Sequence, residues 1–194
     1  DDYGRHLKEN IKEYATSKFV TKDGKPYMLG AMARINANHT QLSKEAKAEL
    51  DTSLRKLGLK LPLKNPHHNL LCQAIEILEA TNRAIALLPI FAKREKISPV
   101  IPREGKGVSA VEAPRGTLFH EYKIDQDGKI IFCNIITPTT QNLNMMEKDI
   151  TLLVNNLLQK STSKEEIVRQ IEKLIRAYDP CFSCSTHFLQ VHWL

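Results

Sequence analysis

Apolar residues recur every three or four positions along much of the chain, which predicts α-helices. The expected helices run over 43–57, from Asn65-Pro66 to about Lys93, over 142–159, and from Ser163 to Ala177 or Tyr178. Ser43 is the expected N-cap of the first helix. Ser163-Lys-Glu-Glu166 forms a capping box at the start of the last. Residues 1–16 have only weak helical character and lead into a turn-rich stretch at 22–26.

The middle of the chain changes to a β-type pattern. Thr117–Ile124 and Lys129–Thr137 are rich in β-formers and flank Asp125-Gln126-Asp127-Gly128, a turn sequence typical of a β-hairpin. The segment before them, 98–107, is polar and bears Gly and Pro. The predicted fold is therefore mainly α with one β-hairpin, an α+β domain. A chain of 194 residues with 42% hydrophobic content is long enough for one such core.

Charge and hydropathy narrow the classes of partner. The net charge is +6 and the pI is near 9.1, but no dense Lys/Arg run is interleaved with aromatic residues, which make up only 6%. The basic residues are expected on solvated helix faces, and no nucleic-acid partner is predicted. The longest apolar stretch, 85–92, is too short to span a bilayer. The start at Asp1 without Met suggests a chain cut from a longer one.

The four cysteines fall into two kinds. Cys72 and Cys133 each stand alone in hydrophobic surroundings and are expected to be buried, inert thiols. Cys181 and Cys184 form a close pair after a helix that Pro180 ends, and two thiolates at this spacing can face one soft metal ion. A c-type haem site needs His directly after the second Cys, where Ser185 stands. A thioredoxin-like pair belongs at the start of a helix.

A structural zinc site stays open on spacing alone. It needs four ligands, and Cys181, Cys184, His187 and His192 could supply them.

Three segments carry a family resemblance. The run from Asp179 to His187 resembles the C-terminal Asp-Pro-Cys-x-x-Cys-x-x-His signature of nickel-iron hydrogenase large subunits. Glu112-Ala113-Pro114-Arg115-Gly116 is similar to the family's Glu-Ala-Pro-Arg-Gly motif, and Pro138–Asn142 to its Pro-Ser/Thr-Thr-x-Asn segment. The resemblance covers most of the chain and is strongest to the soluble, multi-subunit, cofactor-coupled type. It implies part of the large-subunit fold and a cytoplasmic location.

The resemblance also implies roles for individual residues. Cys181 would be a terminal nickel thiolate, and Cys184 would bridge nickel to iron, where a metal-bound thiolate can take up a proton. Arg115 would lie over the cluster, oriented by Asp179. The cyanide ligands on iron would be held by Thr139 and the backbone near Pro114 and Arg115; a fixed, always charged guanidinium suits such anions. His187 would hold a second-shell magnesium together with a carbonyl near Ile135.

Two departures from the family qualify this picture. The family's N-terminal Cys-x-x-Cys pair, which supplies the other two thiolates, has no counterpart here. The chain is therefore expected to be a C-terminal part (1–187), inactive and without the nickel-iron centre, its CO and cyanide ligands or Mg. The partners implied are the missing N-terminal half, a small iron-sulfur subunit and a maturation protease.

The second departure is that residues 188–194 continue past His187. They are expected to be a maturation extension, or else a packed terminus. The alternative function is a hydrogenase-derived structural or zinc-binding assembly module without catalysis.

Overall fold

The computed structural model describes residues 3–90, 101–186 and 189–193. Its strands are β1 Leu7–Asn10, β2 Phe19–Lys22, β3 Gly105–Ala113, β4 Gly116–Ile124 and β5 Ile130–Ile136. Its α-helices are α1 Ala31–Asn38, α2 Lys44–Leu57, α3 Asn69–Leu87, α4 Pro138–Gln159, α5 Lys164–Tyr178 and the single turn α6 Phe182–Ser185. Short 3₁₀ turns lie at Tyr3–Arg5, His39–Gln41 and Pro66–His68.

The first half of the chain folds around helices α1, α2 and α3. Ala46, Leu50 and Leu54 recur every four residues along α2 and are all buried against these helices. The Ser43 side chain caps α2 by accepting from the Ala46 amide, and Gly58 ends the helix in the left-handed conformation. In the second half, α5 buries its apolar face and packs on α4.

Strands β3, β4 and β5 form an antiparallel meander, and β1 pairs with β2 in a separate antiparallel hairpin. The predicted β4–β5 hairpin is confirmed, with its turn at 125–128. A second turn of only two residues, Pro114-Arg115, joins β3 to β4, since Ala113 pairs directly with Gly116. The meander thus places Arg115 at the tip of a hairpin.

The structure confirms the mainly helical α+β class and corrects several details. The prediction of a single hairpin was wrong, because β1, β2 and β3 were missed; the weakly helical N-terminal segment contains β1 instead. Helix α4 begins at Pro138 rather than Asn142, since Thr137 caps it and Pro138 occupies the first turn, where its missing N–H has no cost. Helix α3 ends at Leu87, and the predicted end near Lys93 lies outside the described residues.

Two further findings concern the burial of the isolated cysteines and the length of the apolar helices. The prediction that both isolated cysteines are buried holds for Cys72 only, because Cys133 is exposed on β5. Among the described residues, no helix is both long and apolar enough to cross a bilayer.

Candidate metal centre

The tip of the β3–β4 hairpin is fixed by Arg34 of α1. Its guanidinium donates to the main-chain oxygens of Ala113 (3.1 Å) and Pro114 (2.8 Å), and it pairs with Glu76 (2.6 Å) and Glu112 (2.8 Å). The Glu76 carboxylate, followed by that of Glu112, raises the pKa of Arg34 above its ordinary value. One charged fork therefore holds two consecutive carbonyls of the turn that presents the next residue, Arg115.

Two glycines allow the chain to pass directly beneath this tip. Gly30 has φ +105°, and a Cβ there would lie 3.2 Å from the Arg115 oxygen; Gly116 has φ +133°, and a Cβ there would lie 2.6 Å from Leu29 Cβ. Only glycine combines these dihedral angles with so close a backbone approach. The Leu29-Gly30 backbone thus serves as a rigid base for Arg115-Gly116.

The N-terminus of α4 contacts both strand β4 and the Leu29-Gly30 segment. Gln141 is buried, donates to the Thr117 and Thr137 oxygens (2.7 and 3.1 Å) and accepts from the Tyr27 hydroxyl (2.8 Å). Asn142, also buried, accepts from the Leu29 amide (2.7 Å). The third sequence motif thereby ties β4 and the Leu29-Gly30 segment to α4.

Arg115 is held by the residue that ends α5. Its Nε donates to the main-chain oxygen of Asp179 (2.7 Å), and its NH2 group donates to the Asp179 carboxylate (3.1 Å). Asp179 has φ 50° and ψ 54°, a left-handed conformation that is uncommon for a residue with a side chain. The pair is about 40% and 35% exposed, so it contributes at most about 1 kcal/mol to folding. Its main effect is therefore to orient the guanidinium.

Cys181 and Cys184 lie side by side after Asp179 and are joined as a disulfide, with Cα atoms 5.3 Å apart. In this state of the chain the two side chains are therefore bonded to each other and are not free thiolates. Thr139, almost fully buried, accepts from the Cys181 amide through its hydroxyl oxygen (3.1 Å). The Ser185 hydroxyl lies 2.7 Å from that of Thr140. Helix α4 therefore anchors the cysteine turn at both ends.

A polar cavity of about 310 Å³ adjoins Cys184. Ile135 and Thr137 line one side, and Glu9 and Lys18, an ion pair at 3.1 Å, line another. A larger cavity of about 640 Å³ lies between α4, α5 and residues 14–19, with Leu189 and Gln190 at its wall. Further along the tail, the Trp193 ring lies over Lys164 Nζ at 4.9 Å.

Most residues that the sequence singled out therefore converge. Pro114 and Arg115 form the hairpin tip, Asp179 holds Arg115, and Thr139 holds Cys181, next to Cys184. His187 lies outside the described residues, so its expected magnesium contact stays a prediction. His192, the fourth candidate zinc ligand, is exposed.

Sequence reasoning missed the residues that support these groups. Gln73 donates to the second carboxylate oxygen of Asp179 (2.9 Å). Asn69 donates to the Ala177 oxygen (2.9 Å) and accepts from the Met32 amide (3.0 Å). The available signal was their spacing: Asn69, Gln73 and Glu76 lie at i, i+4 and i+7 and share one face of α3.

The model of the family described as "Nickel-dependent hydrogenase" matches residues 2–187, nearly the whole chain. The chain belongs to the nickel-dependent hydrogenase family. It is 36% identical over 194 residues to sulfhydrogenase 1 subunit alpha of Pyrococcus furiosus, covering 98% of this chain and 44% of that subunit. It is 33% identical over 201 residues to the beta subunit of the NAD-reducing hydrogenase HoxS of Cupriavidus necator, covering 97% and 40%.

The fold agrees with this assignment. A crystal structure of an NAD⁺-reducing [NiFe]-hydrogenase in the H2-reduced state matches with a TM-score of 0.78 and 29% identity, covering 96% of this chain and 42% of that one. The structure therefore has part of the nickel-iron hydrogenase large-subunit fold. The chain spans less than half the length of these relatives, so the activity and partners of a whole hydrogenase are inferred below.

Proposed function

We propose that this chain is the C-terminal half of the catalytic subunit of a nickel-iron hydrogenase, which interconverts protons, electrons and hydrogen (2H⁺ + 2e⁻ ⇌ H2), and that it is inactive alone. The observation that carries the proposal is the convergence of three distant segments. The tip residue Arg115, the helix start at Thr139 and the turn at Cys181 lie within one hydrogen-bonded unit. Folding to stability alone does not require this arrangement, because the central ion pair is half-exposed.

The donor set fits one side of a nickel-iron centre. Once reduced, Cys181 and Cys184 provide two adjacent soft thiolates. The Thr139 hydroxyl oxygen accepts a hydrogen bond from the Cys181 amide. Its own proton therefore remains available to donate to a cyanide nitrogen. Arg115 uses two of its five N–H donors to bond Asp179, so three remain for ligands of the centre. The bound centre, with its CO and cyanide ligands, supplies the chemistry of hydrogen cleavage; these residues hold it and orient its ligands.

The proposed magnesium ion would bind in the polar cavity beside Cys184. Ile135, near which the expected carbonyl ligand lies, lines that cavity. Oxygen ligands and room for retained water suit magnesium. Residues 188–194 are proposed to be removed by a maturation protease after His187.

Apolar surface supports the proposed position within a larger subunit. Leu70, Ile77 and Leu88, at intervals of seven and eleven residues along α3 and just beyond its end, are 53%, 69% and 68% exposed. A stripe at this spacing is the kind of face that packs against another helix. We infer that the N-terminal half, which carries the other two thiolates, covers this "α3 stripe". A small iron-sulfur subunit would exchange electrons with the assembled subunit, in the cytoplasm.

The test compares the chain alone with the complete large subunit. The chain alone should show no infrared bands of CO or cyanide and no hydrogen evolution, whereas the complete subunit should show both. In the complete subunit, Cys181→Ser and Cys184→Ser should each abolish nickel binding and activity. Cys133, a free and exposed thiol on β5, provides the control, and Cys133→Ser should leave both unchanged. CO and cyanide bands on the chain alone, or full activity in either motif variant, would contradict the proposal.

The assembly-module alternative has a distinct outcome. It predicts stoichiometric zinc on the chain alone, lost in Cys181→Ser. Among the described residues no group of three or more His, Cys, Asp and Glu side chains is arranged to hold a metal.

A further inference from the structure

One face of α3 connects the β3–β4 hairpin tip with the end of α5, where the cysteine motif begins. Asn69, buried, bridges the Met32 amide and the Ala177 oxygen, and so joins the start of α1 to the last turn of α5. Glu76 pairs with Arg34, which holds the hairpin tip. Gln73 lies between them on the same face and donates from Nε2 to Asp179 Oδ2 at 2.9 Å. The position of Arg115 relative to Cys181 is thus set from one helix.

We propose that Gln73 is a positioning residue for Arg115, acting through Asp179. The inference rests on the proposed function, since the orientation of Arg115 matters only at an assembled site. Asp179 uses Oδ1 and its main-chain oxygen for Arg115, while Gln73 occupies Oδ2. With both carboxylate oxygens bound, the side chain has one orientation, and the guanidinium it holds has one orientation as well.

The Arg115–Asp179 pair needs a third partner for two reasons: the pair is exposed, and the backbone of Asp179 is left-handed. Water can compete for an ion pair that is 40% and 35% exposed, and such a pair alone fixes geometry weakly. Asp179 also sits in a left-handed conformation, which persists only where the surroundings determine it. Asn69 holds the preceding helix end through Ala177, and Gln73 holds the side chain. Gln73 is half-buried, and its bond occupies the carboxylate oxygen of Asp179 that Arg115 leaves free.

The first experiment measures the geometry in this chain without metals. The Nη2 protons of Arg115, which bond the Asp179 carboxylate at 3.1 Å, are observed by ¹⁵N NMR. Their exchange with solvent is compared between the native chain and Gln73→Met, which keeps the length but removes the donor. We expect exchange to rise about ten-fold, the size of one hydrogen bond to a charged group. Gln170→Met is the matched control, because Gln170 is also half-buried and also donates to a carboxylate, that of Glu166 four residues earlier on α5.

Folding is checked by circular dichroism and urea unfolding. If Gln73→Met does not fold, Gln73→Lys, which retains a donor, replaces it and should keep Arg115 protected. Unchanged exchange in a folded Gln73→Met overturns the proposal, and so does equal loosening in the Gln170→Met control.

The second experiment separates this inference from the proposed function. In the complete large subunit, Gln73→Met should lower kcat about ten-fold, leave KM for H2 unchanged and shift the cyanide bands. Arg115→Lys, which loses the planar fork, should lose most activity with metal content retained. Native rate and bands in Gln73→Met beside an inactive Arg115→Lys would overturn only the positioning role. Native activity in Arg115→Lys would instead overturn the function proposed for Arg115.

Discussion

Among single residues, the four cysteines occupy three environments. Cys72 is fully buried on α3, and this burial, followed by the nearby Glu76 carboxylate, raises the pKa of its thiol to about 12. Cys133 is exposed on β5, and Cys181 is bonded to Cys184. Thiolates react and thiols do not, so the raised pKa lowers the reactivity of Cys72. Burial lowers its reactivity as well, because reagents cannot reach the sulfur.

Thiol titration checks this assignment. In the oxidised native chain at pH 8, Ellman's reagent should label one cysteine rapidly, and Cys133→Ser should remove that signal. Mild reduction should add two reactive thiols, those of Cys181 and Cys184. Cys72 should react only after unfolding, because it stays protonated at any pH below its raised pKa. Rapid labelling of native Cys72, identified by mass spectrometry, would contradict the structure.

Some site residues could be predicted from short sequence motifs, and others could not. Arg115, Thr139 and Cys181 stand in compact motifs, and the family resemblance of these motifs predicts that they share one site. Gln73 and Asn69 could not be found this way, since their partners Asp179 and Ala177 lie 106 and 108 residues away. A single Gln on a helix is otherwise expected on a solvated face.

At the level of elements, local signals determined what could be predicted. The caps of α2 and α5, and the turn of the β4–β5 hairpin, depend on neighbouring residues and were predicted correctly. Strand β3 was missed because Gly105–Ala113 is exposed along nearly its whole length and contains few β-formers. It is a strand because it pairs over all nine residues with β4, a tertiary effect on a weak local preference.

The α2 cap gives a stability prediction. Ser43→Ala removes the acceptor for the Ala46 amide and for Asn82 Nδ2, and should lower the free energy of unfolding by about 1 kcal/mol. Ser53→Ala, at a half-buried position later in the same helix, is the control and should change it by less than about 0.5 kcal/mol. Urea unfolding followed by circular dichroism measures both. Equal effects would show that the Ser43 cap does not stabilise α2.

At the scale of the whole molecule, large apolar side chains of the described residues are exposed on both α3 and β5. The α3 stripe is accompanied by Ile130 and Ile131 of β5, which are 62% and 64% exposed. The helical pattern of α3 therefore has two apolar sides: Cys72 and Ile75 face the core, while the stripe faces outward. Sequence periodicity alone does not reveal which side the rest of a subunit covers. The relatives, more than twice as long, have the length to cover both patches.

A charge placed on the stripe distinguishes a solvent-facing surface from a covered one. In the chain alone, Ile77→Lys should change the free energy of unfolding by less than about 0.5 kcal/mol, because the side chain is already 69% exposed. In the complete large subunit the same change should lower it by several kcal/mol, since an unpaired ammonium would then be buried. Ile101→Lys, at a position 84% exposed before β3, is the control and should be neutral in both forms. Thermal and urea unfolding of the two forms provide the measurement, and the yield of assembled subunit gives a second readout. An equally small effect of Ile77→Lys in both forms would mean that the N-terminal half does not cover the α3 stripe.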